Sequence, residues 1–243
     1  MPGRIKILRY IEVTSTNDVA KSLAWQGEEE ATAVLALSQT KGRGRGNNVW
    51  VSPPGGLYLS FILRPSRERS SFSLLSLSLA LAAIRLLKKK KVSASLKWPN
   101  DILAAGKKIG GVLTEQGSDR KGERFFINGL GLNINTSSQF LLPGATSLYE
   151  VSGETFDIEA IAQEVGEEFF YFYNFWEKGK SDIIIKAAEA FLSTLGKFIE
   201  VEYKGEKISG FALALEKDGS LLIRGDNGKV MRLYSAFVRH LKV

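Results

Sequence analysis

Residues 72–91 of this 243-residue chain read FSLLSLSLALAAIRLLKKKK, an apolar stretch that is too long to be a strand. Strands in globular proteins seldom exceed about ten residues, so this stretch predicts a long helix. Shorter apolar runs bounded by glycine, proline and polar turns precede and follow it, and such runs are typical of strands. One long helix among strands predicts the α+β fold class.

Further helices and strands are predicted from periodicity and turn residues. Residues 14–16 supply N-cap candidates for a helix near residues 17–26. Apolar residues at helical spacing predict two more helices, over residues 156–176 and 181–196. The predicted strands are residues 31–39, 56–65, 93–101 (ending in a turn), 107–116 and 124–135.

An aromatic cluster in the predicted helix over residues 156–176 could either line a ligand site or pack in the core. We favour packing between helices, because aromatic side chains dominate the buried area of cores. The cluster consists of Phe169, Phe170, Tyr171, Phe172, Tyr173, Phe175 and Trp176.

The sequence pattern changes after Gly196. Short strands separated by Lys-Gly, Asp-Gly and Asn-Gly turns follow, as in a small β-barrel of SH3-like size. We therefore expect two domains, residues 1–193 and 194–243, joined without a long linker.

Composition narrows the function classes. The chain has no cysteine and one histidine, His240, so a cysteine nucleophile, a zinc cage and a Ser-His-Asp triad are disfavoured. The net charge of +7 allows a nucleic-acid partner, but the basic residues are mostly scattered, and the densest run, residues 88–91, ends a predicted helix. No apolar run of about 18 residues and no cleavable signal is visible, so a cytoplasmic protein is expected, with no membrane partner.

A glycine- and arginine-rich loop, KGRGRGNNVW over residues 41–50, follows a predicted strand. It matches neither the Walker A loop nor the dinucleotide-binding fingerprint. Its glycines make the backbone flexible, and the guanidinium groups of Arg43 and Arg45 suit carboxylate and phosphate oxygens. The loop therefore either closes over an anionic ligand or is simply a solvated flexible turn.

The pentapeptide KWPND, residues 97–101, forms a second motif. Pro99 fixes a turn, so Lys97 and Asp101 flank a rigid corner at the end of a strand. The alternative is a buried Trp98 beside a surface Asn-Asp cap.

Two strands contain glycines where glycine costs stability unless another group approaches the backbone closely. In KKIGGVL we expect Lys108 to face inward, one strand period before Gly110, although most lysines are exposed. In GLGLNIN, Asn133 suits a hydroxyl or phosphate group, although a capping role is nearly as well supported. Oriented cations and backbone amides of this kind suit a reaction between two anions.

These motifs, in this order, resemble those of the biotin protein ligases, the biotin–[acetyl-CoA-carboxylase] ligases. The resemblance covers TSTND, QTKGRGR with W and SPPGGLYLS, KWPND, KKIGGVL with Glu115, and GLNIN, within about the first 135 residues. It implies a mixed-sheet catalytic domain with flanking helices, followed by the SH3-like barrel. It also implies ATP, Mg²⁺ and biotin as ligands, and a biotinyl-5'-AMP intermediate. The acceptor would be a lysine of a biotin carboxyl carrier protein, and a homodimer is expected.

The resemblance also implies roles for individual residues. The turn that meets the ring of biotin would be formed by Ser15, Thr16, Asn17 and Gln39. The biotin and acyl-phosphate end would be lined by Arg43, Gly44, Arg45 and Lys108, of which Arg43, Arg45 and Lys108 would be catalytic. The ATP or adenylate side would be formed by Trp50 near the adenine, Asn133 near the ribose or phosphate, and Lys97 and Asp101. The Gly/Arg loop would be mobile when empty and would order over the ligand.

The sequence departs from this family in two ways. Family members often have an arginine three positions after the second loop arginine, where this chain has Asn48, so triphosphate contacts there are in doubt. The first motif begins at Thr14, which leaves no room for an N-terminal DNA-binding domain, so we expect neither DNA binding nor repression. The alternatives are a lipoate or octanoate ligase or transferase, and a non-catalytic binding module.

Overall fold

A computed structural model describes residues 5–46, 48–65, 72–203, 205–234 and 236–240. Asn47 of the Gly/Arg loop and Lys204 of the predicted Lys-Gly turn lie outside the described residues. The helices are α1 (Thr16–Trp25), α2 (Phe72–Lys89), α3 (Leu148–Ser152), α4 (Ile158–Glu177) and α5 (Ser181–Glu189), with one 3-10 turn at Ser138–Phe140. None of the described helices is long and apolar enough to cross a membrane.

A seven-stranded mixed sheet lies at the centre of the first 193 residues, in agreement with the predicted fold class. The strand order is β1-β2-β3-β7-β6-β5-β4, in which β1 and β2 are parallel and the other neighbours are antiparallel. Its strands are β1 (Lys6–Val13), β2 (Thr32–Gln39), β3 (Gly56–Leu63), β4 (Ala94–Lys97), β5 (Asp101–Ala104), β6 (Lys107–Ser118) and β7 (Arg124–Asn133).

Helices cover both faces of this sheet, because successive residues of its strands point to opposite sides. Phe61 of β3 belongs to the large core formed with α2, α4 and α5, whereas Ile62 belongs to a smaller core under α1. The aromatic cluster of α4 packs into the large core, as predicted: Phe169, Phe170 and Phe172 are buried there. Tyr171 differs, since its side chain faces outward.

The C-terminal residues form a five-stranded antiparallel sheet with the order β11-β10-β9-β8-β12. Within the described residues, β11 and β12 are not paired with each other, so the sheet is open and the predicted barrel is not closed. The strands are β8 (Phe198–Tyr203), β9 (Glu206–Leu215), β10 (Leu221–Gly225), β11 (Val230–Leu233) and β12 (Phe237–His240).

One prediction about these elements needs correction. The helix expected over residues 181–196 ends at Glu189, because the chain then pairs with the edge strand β4: Leu96 donates to the Phe191 carbonyl, and Ser193 donates to the Leu96 carbonyl. The KWPND corner lies at the end of the strand β4, as predicted, and the structure adds that it is the turn of a hairpin, in which Lys97 of β4 pairs with Asp101 of β5. The strand β1 and the helix α3 were not predicted.

Phe169 tests the packing of α4. Its ring is fully buried, with ring centroids 5.0 Å from Phe61 and 5.2 Å from Phe170. We expect Phe169→Ala to lower the free energy of unfolding by about 3–5 kcal/mol, because it leaves a cavity in the core. Tyr171→Ala, on the exposed side of the same helix, should cost about 1 kcal/mol or less, mainly through its ring contact with Arg85. Urea denaturation of both variants measures the difference; equal losses would contradict the assignment of α4 to the core.

The lowered pKa of His240 predicts how the stability of the fold depends on pH. Burial and, to a smaller extent, charge repulsion from Lys197 and Lys97 together lower the pKa of His240 to about 4. Between pH 6.5 and pH 4 the unfolded chain binds a proton that the folded chain does not, so stability should fall as the pH falls through this range. Because this is the only histidine, NMR titration of its ring protons measures the pKa directly. A His240→Gln variant should lose this part of the pH dependence; a measured pKa near 6.5 would contradict the prediction.

Candidate active site

A cavity of about 210 Å³ opens where the N-terminus of α1, the Gly/Arg loop, the β4–β5 corner and the start of β12 meet. The predicted site residues that line the cavity are spread along the sequence from residue 15 to residue 108, and the fold brings them together. They are Ser15, Thr16, Asn17, Gln39, Arg43, Gly44, Arg45, Trp50, Lys97, Asp101 and Lys108. Among the predicted site residues, only Asn133 does not line the cavity.

The floor of the cavity is the centre of the large sheet, where glycines of β7 let side chains approach the backbone. Gly129 lies beneath the Asn17 side-chain oxygen, which would overlap an added Cβ. Gly131 lies beneath the Trp50 ring, and a Cβ there would be 2.5 Å from Trp50 Nε1. The prediction that something approaches these glycines closely is therefore confirmed for both.

A polar network at the N-terminus of α1 holds one end of the cavity. The Gln39 side-chain oxygen accepts hydrogen bonds from the Thr16 backbone N–H (2.8 Å) and hydroxyl (3.2 Å). The Gln39 amide donates to the Ser52 hydroxyl at 2.8 Å. On the other side of α1, Asn17 donates to the Glu115 carboxylate at 2.7 Å and its oxygen lies 2.7 Å from the Ser60 hydroxyl. The arrangement offers uncharged donors and acceptors to a ligand.

Arg43 is held by two carboxylates. Its guanidinium makes two hydrogen bonds to Glu115, of 3.0 and 2.6 Å, and a 2.7 Å ion pair with Asp18. Such a bidentate arrangement of hydrogen bonds fixes the planar guanidinium group in one orientation. The charge of Arg43 is thus balanced within the protein, and Arg43 anchors the base of the loop.

Arg45 lies deeper and has a different set of partners. It donates to the Asn100 side-chain oxygen (3.0 Å) and to the Ala236 carbonyl (2.9 Å), and its guanidinium lies 5.0 Å from the centroid of the Phe237 ring. Burial lowers the pKa of Arg45 while Asp101 raises it, and an arginine keeps its charge under such shifts. No carboxylate hydrogen-bonds to Arg45 among the described residues, so its charge is less balanced than that of Arg43.

Two lysines share one carboxylate at the β4–β5 corner. Lys108 makes a 2.6 Å ion pair with Asp101 and lies 5.4 Å from the centroid of the Trp50 ring, so it faces inward as predicted. Burial lowers the pKa of Lys97; Asp101 opposes this effect, whereas Lys108 and Arg239 add to it. The cations that line the cavity therefore outnumber its single lining carboxylate, and the cavity favours an anionic ligand.

Trp98 fixes the corner that carries these lysines. Its backbone N–H donates to the Thr194 hydroxyl and its indole N–H to the Gly219 carbonyl, both at 3.0 Å. The Trp98–Pro99 peptide bond is cis. Trp98 is buried, as the structural alternative for this motif expected, yet Lys97 and Asp101 also line the cavity. The two interpretations of KWPND are therefore compatible.

The cavity lining differs in part from the predicted set of site residues. Asn133 is buried and its amide donates to the Thr146 carbonyl at 2.9 Å, as a structural asparagine would. Asn100 and Phe237 line the cavity but were not predicted. Asn100 stands within KWPND, so the motif contained a signal for it. Phe237 has no local signal, because only the tertiary fold brings β12 to the loop.

Two family models match the chain. The biotin/lipoate A/B protein ligase family matches residues 9–133, and the biotin protein ligase C terminal domain matches residues 194–238. The first match includes the α1 turn, the Gly/Arg loop, the corner and both glycine-containing strands. The chain belongs to the biotin/lipoate A/B protein ligase family.

Individual members of this family are similar over most of the chain. The bifunctional ligase/repressor BirA of Bacillus spizizenii is 33% identical over 230 residues, which are 92% of this chain and 70% of that protein. The biotin–[acetyl-CoA-carboxylase] ligase of Mycobacterium tuberculosis is 27% identical over 94% of this chain and 86% of that protein. The biotin protein ligase from Aquifex aeolicus, in complex with biotin and ATP, superposes with a TM-score of 0.83 at 29% identity and covers 97% of this chain and 99% of that structure.

Proposed function

We propose that this chain is an ATP-dependent biotin protein ligase. It would activate biotin as biotinyl-5'-AMP and transfer it to one lysine of a biotin carboxyl carrier protein. The observation that carries the proposal is a single cavity with an uncharged polar end at α1 and a cationic end at Arg45 and Lys108. The chain belongs to the biotin/lipoate A/B protein ligase family and also matches the biotin protein ligase C terminal domain, which supports biotin as the acid. Biotin has the same division, with an uncharged polar ring at one end and a carboxylate at the other.

The first step joins two anions. An oxygen of the biotin carboxylate forms a bond to the α-phosphorus of ATP, while the bond from that phosphorus to the pyrophosphate oxygen breaks. Arg45 and Lys108 lower the repulsion between the two reactants and stabilise the charge that develops. Arg43 contributes less directly, because Glu115 and Asp18 already balance its charge.

The second step transfers the acyl group. The neutral ε-amine of the carrier lysine attacks the acyl carbon, the bond from that carbon to the AMP oxygen breaks, and an amide forms as the amine releases a proton. The cavity must exclude water from the acyl-adenylate until the carrier arrives, since water would hydrolyse it. A loop closed over the cavity serves this purpose.

Residue roles follow from this division of the cavity. Ser15, Thr16, Asn17 and Gln39 would bind the ring of biotin, with Gly44 beside the chain, and Trp50, Lys97 and Asp101 would serve the adenylate side. For Asn133 the ribose or phosphate contact has weaker support, because its amide is already bonded to Thr146 and it does not line the cavity.

Magnesium would arrive with the nucleotide. The described residues contain no cluster of three or more acidic or histidine ligands, and the lining carboxylate, Asp101, is paired with Lys108. Mg²⁺ commonly binds through substrate phosphates and water with one or two carboxylates, so MgATP fits as a substrate complex.

A cytoplasmic location and a homodimer stay proposals. The edge strand β1 would allow two sheets to pair, and light scattering of the purified protein tests this.

Pyrophosphate release tests the activity. The protein is incubated with MgATP and either biotin, lipoate or octanoate, and the bound product is analysed by mass spectrometry. We expect release with biotin alone, a mass that matches biotinyl-5'-AMP, and labelling of a purified biotin carboxyl carrier domain. Release only with lipoate or octanoate would move the chain to the neighbouring branch of the family. No release with any of the acids would favour a binding module.

Replacing Asn48 by arginine tests whether the absence of a third loop arginine weakens ATP binding. Asn48 is exposed and lines the cavity beside Gly44, so a longer cationic side chain there can reach solvent without entering the core. We expect Asn48→Arg to lower the apparent KM for ATP, because it adds one phosphate-binding charge. Asn48→Gln, which lengthens the side chain without charge, is the matched control. An unchanged or raised KM in Asn48→Arg would contradict the expectation.

A further inference from the structure

Phe237, at the start of β12, is an aromatic side chain with no place in a core. It is 46% exposed, whereas its neighbours Ala236 and Val238 are buried. It belongs to neither hydrophobic cluster, and it lines the cavity. The contacts of its ring are instead with the Gly/Arg loop: the Arg45 guanidinium lies 5.0 Å from its centroid. The side chain therefore serves the loop and not the sheet that carries it.

The described residues of the loop tip, Gly44, Arg45, Gly46 and Asn48, form few backbone hydrogen bonds. Gly44 donates to the Asn48 carbonyl at 2.8 Å, and Asn48 donates to the Arg45 carbonyl at 3.3 Å. Both bonds lie within the tip, so they fix its shape and not its position over the cavity. Gly46 has a positive φ of 62°, and a Cβ there would be 3.3 Å from Phe237. The Phe237 ring thus lies against the tip at two successive residues.

Arg45 provides the anchor of the tip to the rest of the protein among the described residues. One of its hydrogen bonds goes to Asn100 in the β4–β5 corner, and the other goes to the Ala236 carbonyl in the C-terminal sheet. The Phe237 ring lies against the face of the same guanidinium. A planar guanidinium can donate from its edge while its face lies on an aromatic ring, so these contacts are geometrically compatible.

We propose that Phe237 is a positioning residue: it holds the Arg45 guanidinium over the cavity and thereby keeps the Gly/Arg loop closed on the acyl-adenylate. The inference rests on the proposed function and adds the C-terminal sheet to its machinery. Phe237 acts through Arg45, so its loss should shorten retention of the intermediate and also slow its formation, because Arg45 stabilises the charge that develops in that step. A loop that opens more often releases the adenylate, which then reacts with water or with unselected lysines.

The test compares variants that keep or remove the aromatic face. Phe237→Leu keeps an apolar side chain without a π-face, and Phe237→Trp keeps the π-face. We expect Phe237→Leu to speed adenylate dissociation in stopped-flow measurements about two- to tenfold. It should also raise the labelling of a bystander protein and raise the apparent KM for ATP, and it should lower kcat less than Arg45→Gly does. Phe237→Trp should behave like the wild type.

Val230→Ala is the matched control, because Val230 is exposed in the same sheet on β11 and does not line the cavity. All three variants should unfold at nearly the same temperature. In an Arg45→Gly background, Phe237→Leu should add no further leakage, since the two residues act through one contact.

A second readout does not depend on the activity. Trypsin cleaves after arginine, so cleavage after Arg45 in the ligand-free protein, followed by mass spectrometry, reports how often the loop opens. Faster cleavage in Phe237→Leu but not in Phe237→Trp or Val230→Ala would support the proposal even if the protein activated another acid. Equal cleavage in wild type and Phe237→Leu, or equal adenylate loss in Phe237→Leu and Phe237→Trp, would overturn it. A wild-type protein that forms no adenylate would instead refute the proposed function.

Discussion

The site depends on how closely Asn17 and Trp50 approach the backbone of β7. In the register of the sheet, Ser60, Gly129 and Leu113 lie in one row across β3, β7 and β6, and the next row on that face contains Gly131 and Gly111. Any side chain at Gly129 or Gly131 would displace the group above it. The cavity exists because β7 and β6 carry glycine at these positions, and the large core on the opposite face, around Phe61, contributes much of the stability of the domain.

The charges of the site are arranged before any ligand binds. Arg43 is neutralised by Glu115 and Asp18, and Lys108 is paired with Asp101, whereas Arg45 is held by neutral oxygens and an aromatic ring. Neutral partners fix the position of a cation without cancelling its charge, so Arg45 offers the stronger attraction to an anion. Such preorganised charge needs little rearrangement when charge develops in the reaction. The pairing explains why two arginines in one short loop can differ in their contributions.

The sequence predicted the helices and strands best where patterns were long and local. The apolar stretch over residues 72–91 appears as α2, Phe72–Lys89, and the glycines of GLGL marked a close approach that Asn17 and Trp50 make. The predicted end of α5 was wrong, because pairing with the edge strand β4 overrides helical spacing after Glu189. The strand β1 was missed because its residues, KILRYIEV, are exposed or only partly buried and alternate poorly.

The positions of site residues were likewise predicted best where local sequence patterns determine them. Lys108, Lys97 and Asp101 could be predicted because a turn or a strand period fixes their direction within a few residues. The position of Asn133 could not, because its amide bonds to the Thr146 carbonyl of a later segment whose course the local sequence does not define. Phe237 and Ala236 could not be predicted either, since they reach Arg45 from the start of β12, and Ala236 is 191 residues away from Arg45 along the chain.

These long-range contacts make the two halves of the chain one functional unit, although their sequence patterns differ on either side of residue 194. The large core includes Ile199, Val201 and Ile223 of the C-terminal sheet together with Trp98 of the corner. Hydrogen bonds from Trp98 to Thr194 and Gly219 fix the same corner that positions Lys97 and Asp101. The C-terminal sheet thus supports the cavity from below through Trp98 and contacts its loop from the side through Phe237. A shift of that sheet would move both the corner and the loop, so the geometry of the cavity depends on the docking of the two halves.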